Sequence, residues 1–166
     1  MTLQQLSSLA QIIGVAGVFI SVLYLARQVK AGNDLSRTDT FRSIMQGLGV
    51  YCNAMYGPEN EELIEKGFRD FNALSPYEKI RFENLMVHLF NYVEDSYHSS
   101  NVDLLGKETM ENWVYWLRTR YFAYRGVREW WRTGKGAYAP EFQAWIDSVV
   151  ESADIEQDIY GLSGSP

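Results

Sequence analysis

The hydrophobic positions of this chain form one long uncharged run, followed by shorter segments with helical periodicity. The run extends from Leu9 to Ala26 and contains no charged residue among its eighteen positions. At the helical rise it spans about 27 Å, and a start at Leu6 extends it to about 32 Å. Because a bilayer core is about 30 Å thick, the run predicts one transmembrane helix over about residues 6–26. A buried hairpin helix of a soluble domain is the alternative interpretation.

After the run, apolar residues recur at helical spacing, and no segment shows the alternation of a strand. The clearest helix start is Ser75-Pro76-Tyr77-Glu78, in which serine is the N-cap, proline the first helical residue and glutamate the third. The segments with helical periodicity are about 33–55, 59–71, 76–101, 107–124, 127–132 and 140–153. The sequence therefore predicts an all-α fold, with an N-terminal transmembrane helix followed by a bundle of about five helices.

The same pattern divides the chain into three parts. We expect a membrane anchor at residues 1–31, a helical domain at residues 32–153, and an acidic flexible tail at residues 154–166. About 140 residues follow the anchor, which is enough for one domain with a hydrophobic core. The pattern leaves open whether the anchor helix ends at Gly32-Asn33 or runs unbroken into the next helix.

Charges next to the run predict its orientation. No charged side chain precedes the run, whereas Arg27 and Lys30 follow it directly. Basic residues beside a transmembrane helix stay on the cytoplasmic side, so we expect a cytoplasmic helical domain and an N-terminus outside. A cleaved signal peptide would need basic residues before the run and a small-residue cleavage site after it, and neither is present.

Small residues line one side of the predicted transmembrane helix. Ala10, Gly14, Gly17 and Ser21 fall within about 60° of one another at 100° per residue. Such a stripe allows another helix to approach closely, which in lipid is a main source of helix association. The stripe therefore predicts a packing face for a protein partner or a second copy, unless the alignment arose by chance.

Charge is distributed in blocks, although the net charge is only −6. Residues 59–111 carry a net charge of −7, residues 112–139 carry +5, and residues 140–166 carry −6. This order suggests that the blocks contact each other. The basic block is rich in aromatic residues, and its candidate residues for lipid or partner contact are Arg118, Arg125, Arg128, Trp130, Trp131 and Arg132. The alternatives are stacking on nucleic acid, or a core role for the aromatic residues with arginines paired to the acidic blocks.

No motif in the chain assembles a catalytic or metal-binding set. Asp95 and His98 have the spacing of a helical metal site, but they have no second copy and fall on the predicted polar side of their helix. Gly134-Lys135-Gly136 lacks the first glycine and the hydroxyl residue of a phosphate loop. Cys52 is a single cysteine, which predicts a buried apolar role. We therefore predict no catalytic residue, metal or cofactor.

Several segments resemble a group of uncharacterised bacterial proteins that have one N-terminal transmembrane helix and a small cytoplasmic all-α domain. The likeness covers about residues 6–150, and its first two segments are the most distinctive. These segments are AQIIG at 10–14, ISVLYLARQV at 20–29, LSPYE at 74–78, VREWW at 127–131 and PEF at 140–142. The resemblance implies a bacterial inner-membrane protein and carries no activity with it.

Together these features predict a single-pass inner-membrane protein that acts as a non-catalytic accessory, scaffolding or assembly subunit of a membrane protein complex. Its expected partners are the membrane and a protein, or a second copy, bound through the transmembrane helix. A membrane-tethered enzyme or sensor with a pocket in the helical domain is the first alternative. A nucleic-acid-binding module is the second, although the acidic net charge argues against nucleic acid as a partner.

Overall fold

The computed structural model describes residues 3–153, without the side chains of residues 3, 5–10 and 12. Contacts divide the chain into two units, Met1–Asp39 and Thr40–Pro166. The described residues form six α-helices and no strand, which confirms the predicted all-α class for this part of the chain. The tail predicted to be flexible, at 154–166, lies outside the described residues.

Helix α1 extends over Leu3–Met55 as one continuous element. The break considered at Gly32-Asn33 is absent, so the question that the sequence left open is resolved in favour of a continuous helix. Glycine in a helix interior costs up to about 1 kcal/mol, which a long helix with favourable residues on both sides can absorb. Thr38 also bonds within the helix, because its hydroxyl donates to the Asp34 carbonyl at 3.0 Å.

Five further helices form the second unit together with the C-terminal part of α1. Short 3₁₀ turns occupy Pro58–Asn60, Phe71–Ala73 and Lys135–Ala137, and a π-helical segment occupies Leu117–Tyr121. The helices are α2 at Glu61–Arg69, α3 at Pro76–Asn101, α4 at Lys107–Trp116, α5 at Arg125–Gly134 and α6 at Pro140–Ser152. The sequence had predicted a single helix over residues 107–124, which the structure instead divides into α4 and the π-helical segment.

The capping box predicted at the start of α3 is present. The Glu78 carboxylate accepts from the Ser75 backbone N–H at 2.6 Å, and the Ser75 hydroxyl accepts from the Glu78 N–H at 3.4 Å. Lys66 of α2 also donates to the Glu78 carboxylate at 3.0 Å. These hydrogen bonds from Ser75 and Lys66 lower the pKa of Glu78 to about 2. The same carboxylate therefore fixes the start of α3 and joins it to α2.

Aromatic rings fill the core of the second unit. Phe90 of α3 stacks on Trp131 with 5.3 Å between ring centroids, and it meets Trp130 edge-on at 4.9 Å. Phe82 meets Phe68 of α2 edge-on at 6.1 Å. Such pairs contribute about 0.5–1.5 kcal/mol each beyond the burial of their surface. Ring packing therefore joins α3 to both α2 and α5.

Candidate functional site

The apolar segment of α1 exposes a long run of hydrophobic side chains in the first unit. Ile13, Phe19 and Leu25 are each more than half exposed, and so are the other large apolar side chains from Val15 to Val29. Helix α1 is long and apolar enough to cross a membrane by its length and composition. An exposed apolar surface of this length indicates either a site of protein interaction or a segment that lies in lipid.

The small-residue stripe presents a smooth surface on this segment. A Cβ atom built on Gly14 or on Gly17 would meet no atom within 4 Å. The Ser21 hydroxyl donates to the Gly17 carbonyl at 2.8 Å, so its hydrogen bond is satisfied inside the helix. The Ala10 side chain lies outside the described residues. The described part of the stripe therefore offers space for close packing and does not depend on a polar partner for Ser21.

The structure places both tryptophans of the predicted contact surface in the core. Trp130 and Trp131 are each only 2% exposed, and the Trp131 indole N–H donates to the Asp147 carboxylate at 2.9 Å. Neither indole is available to a lipid headgroup or a partner in this conformation, which corrects the interpretation of these two residues. Their large apolar area explains the placement, because both indoles pack against the ring of Phe90 on α3.

The four arginines of the predicted contact surface have two different environments. Arg128 holds the fold, because its guanidinium donates to the Phe122 carbonyl at 2.5 Å and to the Ala153 carbonyl at 2.7 Å. Arg125 is exposed and pairs with Glu129 at 2.9 Å. Arg118 and Arg132 are also exposed. A contact role for these three exposed arginines stays a prediction.

Among the described residues, the predicted contact between charge blocks is seen in a close ion pair. Lys135 of the basic block lies 2.6 Å from the Asp147 carboxylate on α6, in the following acidic block. The hydrogen bonds from Lys135 and Trp131 lower the pKa of Asp147. The ion pair Arg125–Glu129 lies instead within the basic block. Contact between blocks is thus shown at Lys135 and Asp147, whereas Arg125 pairs with Glu129 of its own block and also interacts electrostatically with Asp70 of the preceding acidic block.

A cluster of buried phenols lies where α1 meets the π-helical segment. The Tyr51 hydroxyl donates to the Met55 sulfur, and it lies 3.4 Å from the Tyr121 hydroxyl. Burial raises the pKa of both Tyr51 and Tyr121 well above the usual range. Both phenols therefore remain protonated at neutral pH, so they serve as hydrogen-bonding parts of the core rather than as bases.

An apolar groove opens between α1 and α4 on the second unit, with a volume of about 200 Å³. Its walls are Phe41, Met45 and Leu48 on α1 and Thr109, Asn112, Trp113 and Trp116 on α4. The sequence analysis missed this groove, because apolar residues at helical spacing are assigned to the core by default. The signal was present in Trp116, which follows the buried Trp113 by one helical turn and extends the apolar face beyond the core.

The residues considered for a metal site lie on the surface of α3. Asp95 and His98 are both exposed, as the sequence had placed them, and His98 lies 4.0 Å from Glu94. Within the described residues, no group of three or more potential ligands comes close enough to hold a metal ion.

Comparison of the chain with protein-family models, with curated proteins and with solved structures found no match. The functional interpretation therefore depends on the exposed segment of α1, the surface arginines and the groove.

Proposed function

We propose that this protein is a single-pass inner-membrane accessory, scaffolding or assembly subunit of a membrane protein complex. The observation that carries the proposal is the long, uncharged segment of α1, whose described large apolar side chains are more than half exposed. Burial of each large aliphatic or aromatic side chain contributes about 1.5–3 kcal/mol, so the segment gains tens of kcal/mol by leaving water. In this proposal, Arg27 and Lys30 hold the second unit on the cytoplasmic side.

The contact with the complex is made through the stripe of Gly14, Gly17 and Ser21, with Ala10 continuing it in sequence. Lipid gives no hydrophobic driving force between helices, so association depends on how closely two backbones approach. The open space over Gly14 and Gly17 supports such an approach. The exposed Arg118, Arg125 and Arg132 supply a second contact, with anionic headgroups or with an acidic protein surface.

Two measurements on the full-length protein test this function. After an alkaline carbonate wash, the protein should stay in the membrane pellet and should dissolve only in detergent. On a native gel, the detergent extract should contain the protein in an assembly with other membrane subunits, well above the 19.1 kDa of one chain. Release by carbonate would contradict the anchor. If the protein stays in the membrane pellet but runs on the native gel as a single chain in a detergent micelle, the anchor is supported and the subunit role is contradicted.

A membrane-tethered sensor is the second candidate, and the groove between α1 and α4 is the observation that favours it. Ligand sites are commonly concave and mainly apolar, with a few polar groups, and the groove has this character. For the nucleic-acid alternative, Trp130 and Trp131 of the basic block are buried and cannot stack on bases, whereas Tyr115 and Trp116 of the same block are exposed.

A further inference from the structure

We propose that the acidic tail at residues 154–166 docks on the two exposed arginines Arg118 and Arg132 of the second unit. The occupant of this basic surface is thus a segment of the same chain, recognised by its negative charge. The inference concerns only the second unit, and it does not depend on the assembly role proposed above.

The point from which the tail starts is fixed by α5. Helix α6 ends at Ser152, and Ala153 follows in an extended conformation with φ −84° and ψ 132°. Ala153 is only 9% exposed, and its carbonyl accepts from the Arg128 guanidinium at 2.7 Å. The same guanidinium donates to the Phe122 carbonyl at the end of the π-helical segment. The tail therefore starts where α5 and the π-helical segment meet.

Two exposed positive charges lie close to this point in their own elements. Arg132 follows Arg128 by four residues on α5, and Arg118 precedes Phe122 by four residues, so each is about one helical turn away. Within residues 3–153, neither Arg118 nor Arg132 forms an ion pair. Both guanidinium groups are thus open to an acidic group from outside the described residues.

The tail supplies charges of the required sign at its beginning. Asp154, Glu156 and Asp158 are acidic, and residues 154–166 contain no basic residue. An extended chain advances up to about 3.5 Å per residue, so these three acids lie within about 18 Å of Ala153. The tether keeps them near the arginines at a high effective concentration, which makes weak surface pairs sufficient for docking.

The docked tail competes with anionic partners for the same surface. A headgroup or an acidic protein that binds Arg118 or Arg132 must first displace the tail. Partners with several negative charges in a cluster are therefore favoured over partners with a single charge.

Arginine modification in the full-length protein in detergent tests the docking. Phenylglyoxal reacts with accessible guanidinium groups, and the modified peptides are quantified by mass spectrometry. The variant Asp154→Asn, Glu156→Gln, Asp158→Asn neutralises the tail without changing a residue of the helices. Arg118 and Arg132 should react about threefold faster or more in this variant than in the parent. In 1 M salt the difference should disappear, because the charges are screened.

Arg69 on α2 is the internal control, since it is exposed and pairs with Glu65 at 2.9 Å. Its rate should be the same in the parent and in the variant with the neutralised tail. Equal rates of the parent and this variant at both Arg118 and Arg132, or an equal acceleration at Arg69, would overturn the proposal.

Zero-length crosslinking identifies the segment that covers the arginines. A carbodiimide joins an amine to a carboxylate in contact with it, so Arg118→Lys with Arg132→Lys supplies the amines and keeps the charge. We expect crosslinks from these positions to residues 154–158. The contact between Lys135 and Asp147 at 2.6 Å is the positive control, and Arg69→Lys is the negative control. If Lys135 crosslinks to Asp147 while positions 118 and 132 give no link to the tail, the proposal is wrong.

Discussion

Gly126 on α5 lies directly against the backbone carbonyl of Gly67 on α2, so the two helices meet there without a side chain between them. A Cβ atom at Gly126 would also approach the Phe68 carbonyl at 2.8 Å and the Phe71 backbone nitrogen at 2.9 Å. Backbone atoms cannot rotate away as the end of a side chain can. This contact therefore sets how closely α5 approaches α2 and the 3₁₀ turn at Phe71–Ala73.

The first prediction follows from this contact. Gly126→Ala should destabilise the protein by about 2 kcal/mol or more, because the added methyl group forces the two helices apart. Chemical unfolding of the full-length protein in detergent, followed by tryptophan fluorescence, measures the change. Gly136→Ala is the matched control, since a Cβ atom at Gly136 would meet nothing within 4 Å. An equal effect of both substitutions would contradict the importance of the close contact.

The second prediction concerns pH and the start of α3. The pKa of Glu78 is lowered from 4.5 to about 2 by its hydrogen bonds with Ser75 and Lys66. A lowered pKa in the folded state adds stability above pH 4.5, and this stability disappears as the pH falls toward about 2. Glu78→Gln should therefore lower the melting temperature at pH 7, with a smaller difference from the parent at pH 3.

The exposed Glu62 on α2 provides the control for this measurement. Glu62→Gln removes the same charge without touching the capping box, and its effect should be small at both pH values. Melting curves recorded by circular dichroism at pH 7, 5 and 3 give the comparison. If Glu78→Gln lowers the melting temperature by the same amount at all three pH values, the ionised Glu78 carboxylate does not supply the pH-dependent stability.

A third prediction addresses topology. Because Arg27 and Lys30 follow the apolar segment of α1 and no charged side chain precedes it, the second unit should lie in the cytoplasm. A phosphatase that is active only outside the cytoplasm, fused after Pro166, should show no activity. A β-galactosidase fusion at the same position, which is active only in the cytoplasm, serves as the positive control. The reverse pattern of activities would overturn the orientation.

The fourth prediction tests the small-residue stripe. Gly14→Leu together with Gly17→Leu should break the assembly on a native gel, since the added side chains separate the two backbones. Membrane insertion should persist, because leucine is at least as favourable as glycine in a bilayer. Val15→Leu with Phe19→Leu changes the other side of the helix and should leave the assembly intact. If both double variants assemble equally well, α1 acts only as a tether.

The sequence predicted those elements whose signals are local. The start of α3 is predicted by the capping side chains of Ser75 and Glu78. The start of α6 is predicted by Pro140, which is its first residue. The uncharged run of α1 is also visible without any knowledge of the fold. In each case the residues that determine the structure are neighbours in the chain, so a single sequence contains the required information.

The features that were missed depend on residues distant in the chain. The predicted helical segments, 107–124 and 127–132, left out Gly126, whereas it is the second residue of α5 and lies against the backbone of Gly67. Trp130 and Trp131 point about 100° apart on α5, and a single amphipathic face predicts only one of them inside. Both are buried because α5 is surrounded by rings of α3 and α6, which periodicity does not reveal.

The π-helical segment at Leu117–Tyr121 has a consequence for insertions and deletions. Its backbone is closed by a hydrogen bond from the Phe122 N–H to the Leu117 carbonyl at 2.7 Å, a step of five residues instead of four. The turn thus accommodates one more residue than an α-helix would, and four consecutive residues, Tyr121 to Tyr124, are buried immediately beyond it. Because the wider turn absorbs the extra residue, loss of Thr119 would restore an α-helical turn with little rotation of Trp113 and Trp116 relative to Tyr121, whereas loss of one residue from the regular helix α4 would rotate the residues before it by about 100°. The packing of these rings therefore tolerates a change of one residue in this turn that it would not tolerate within α4.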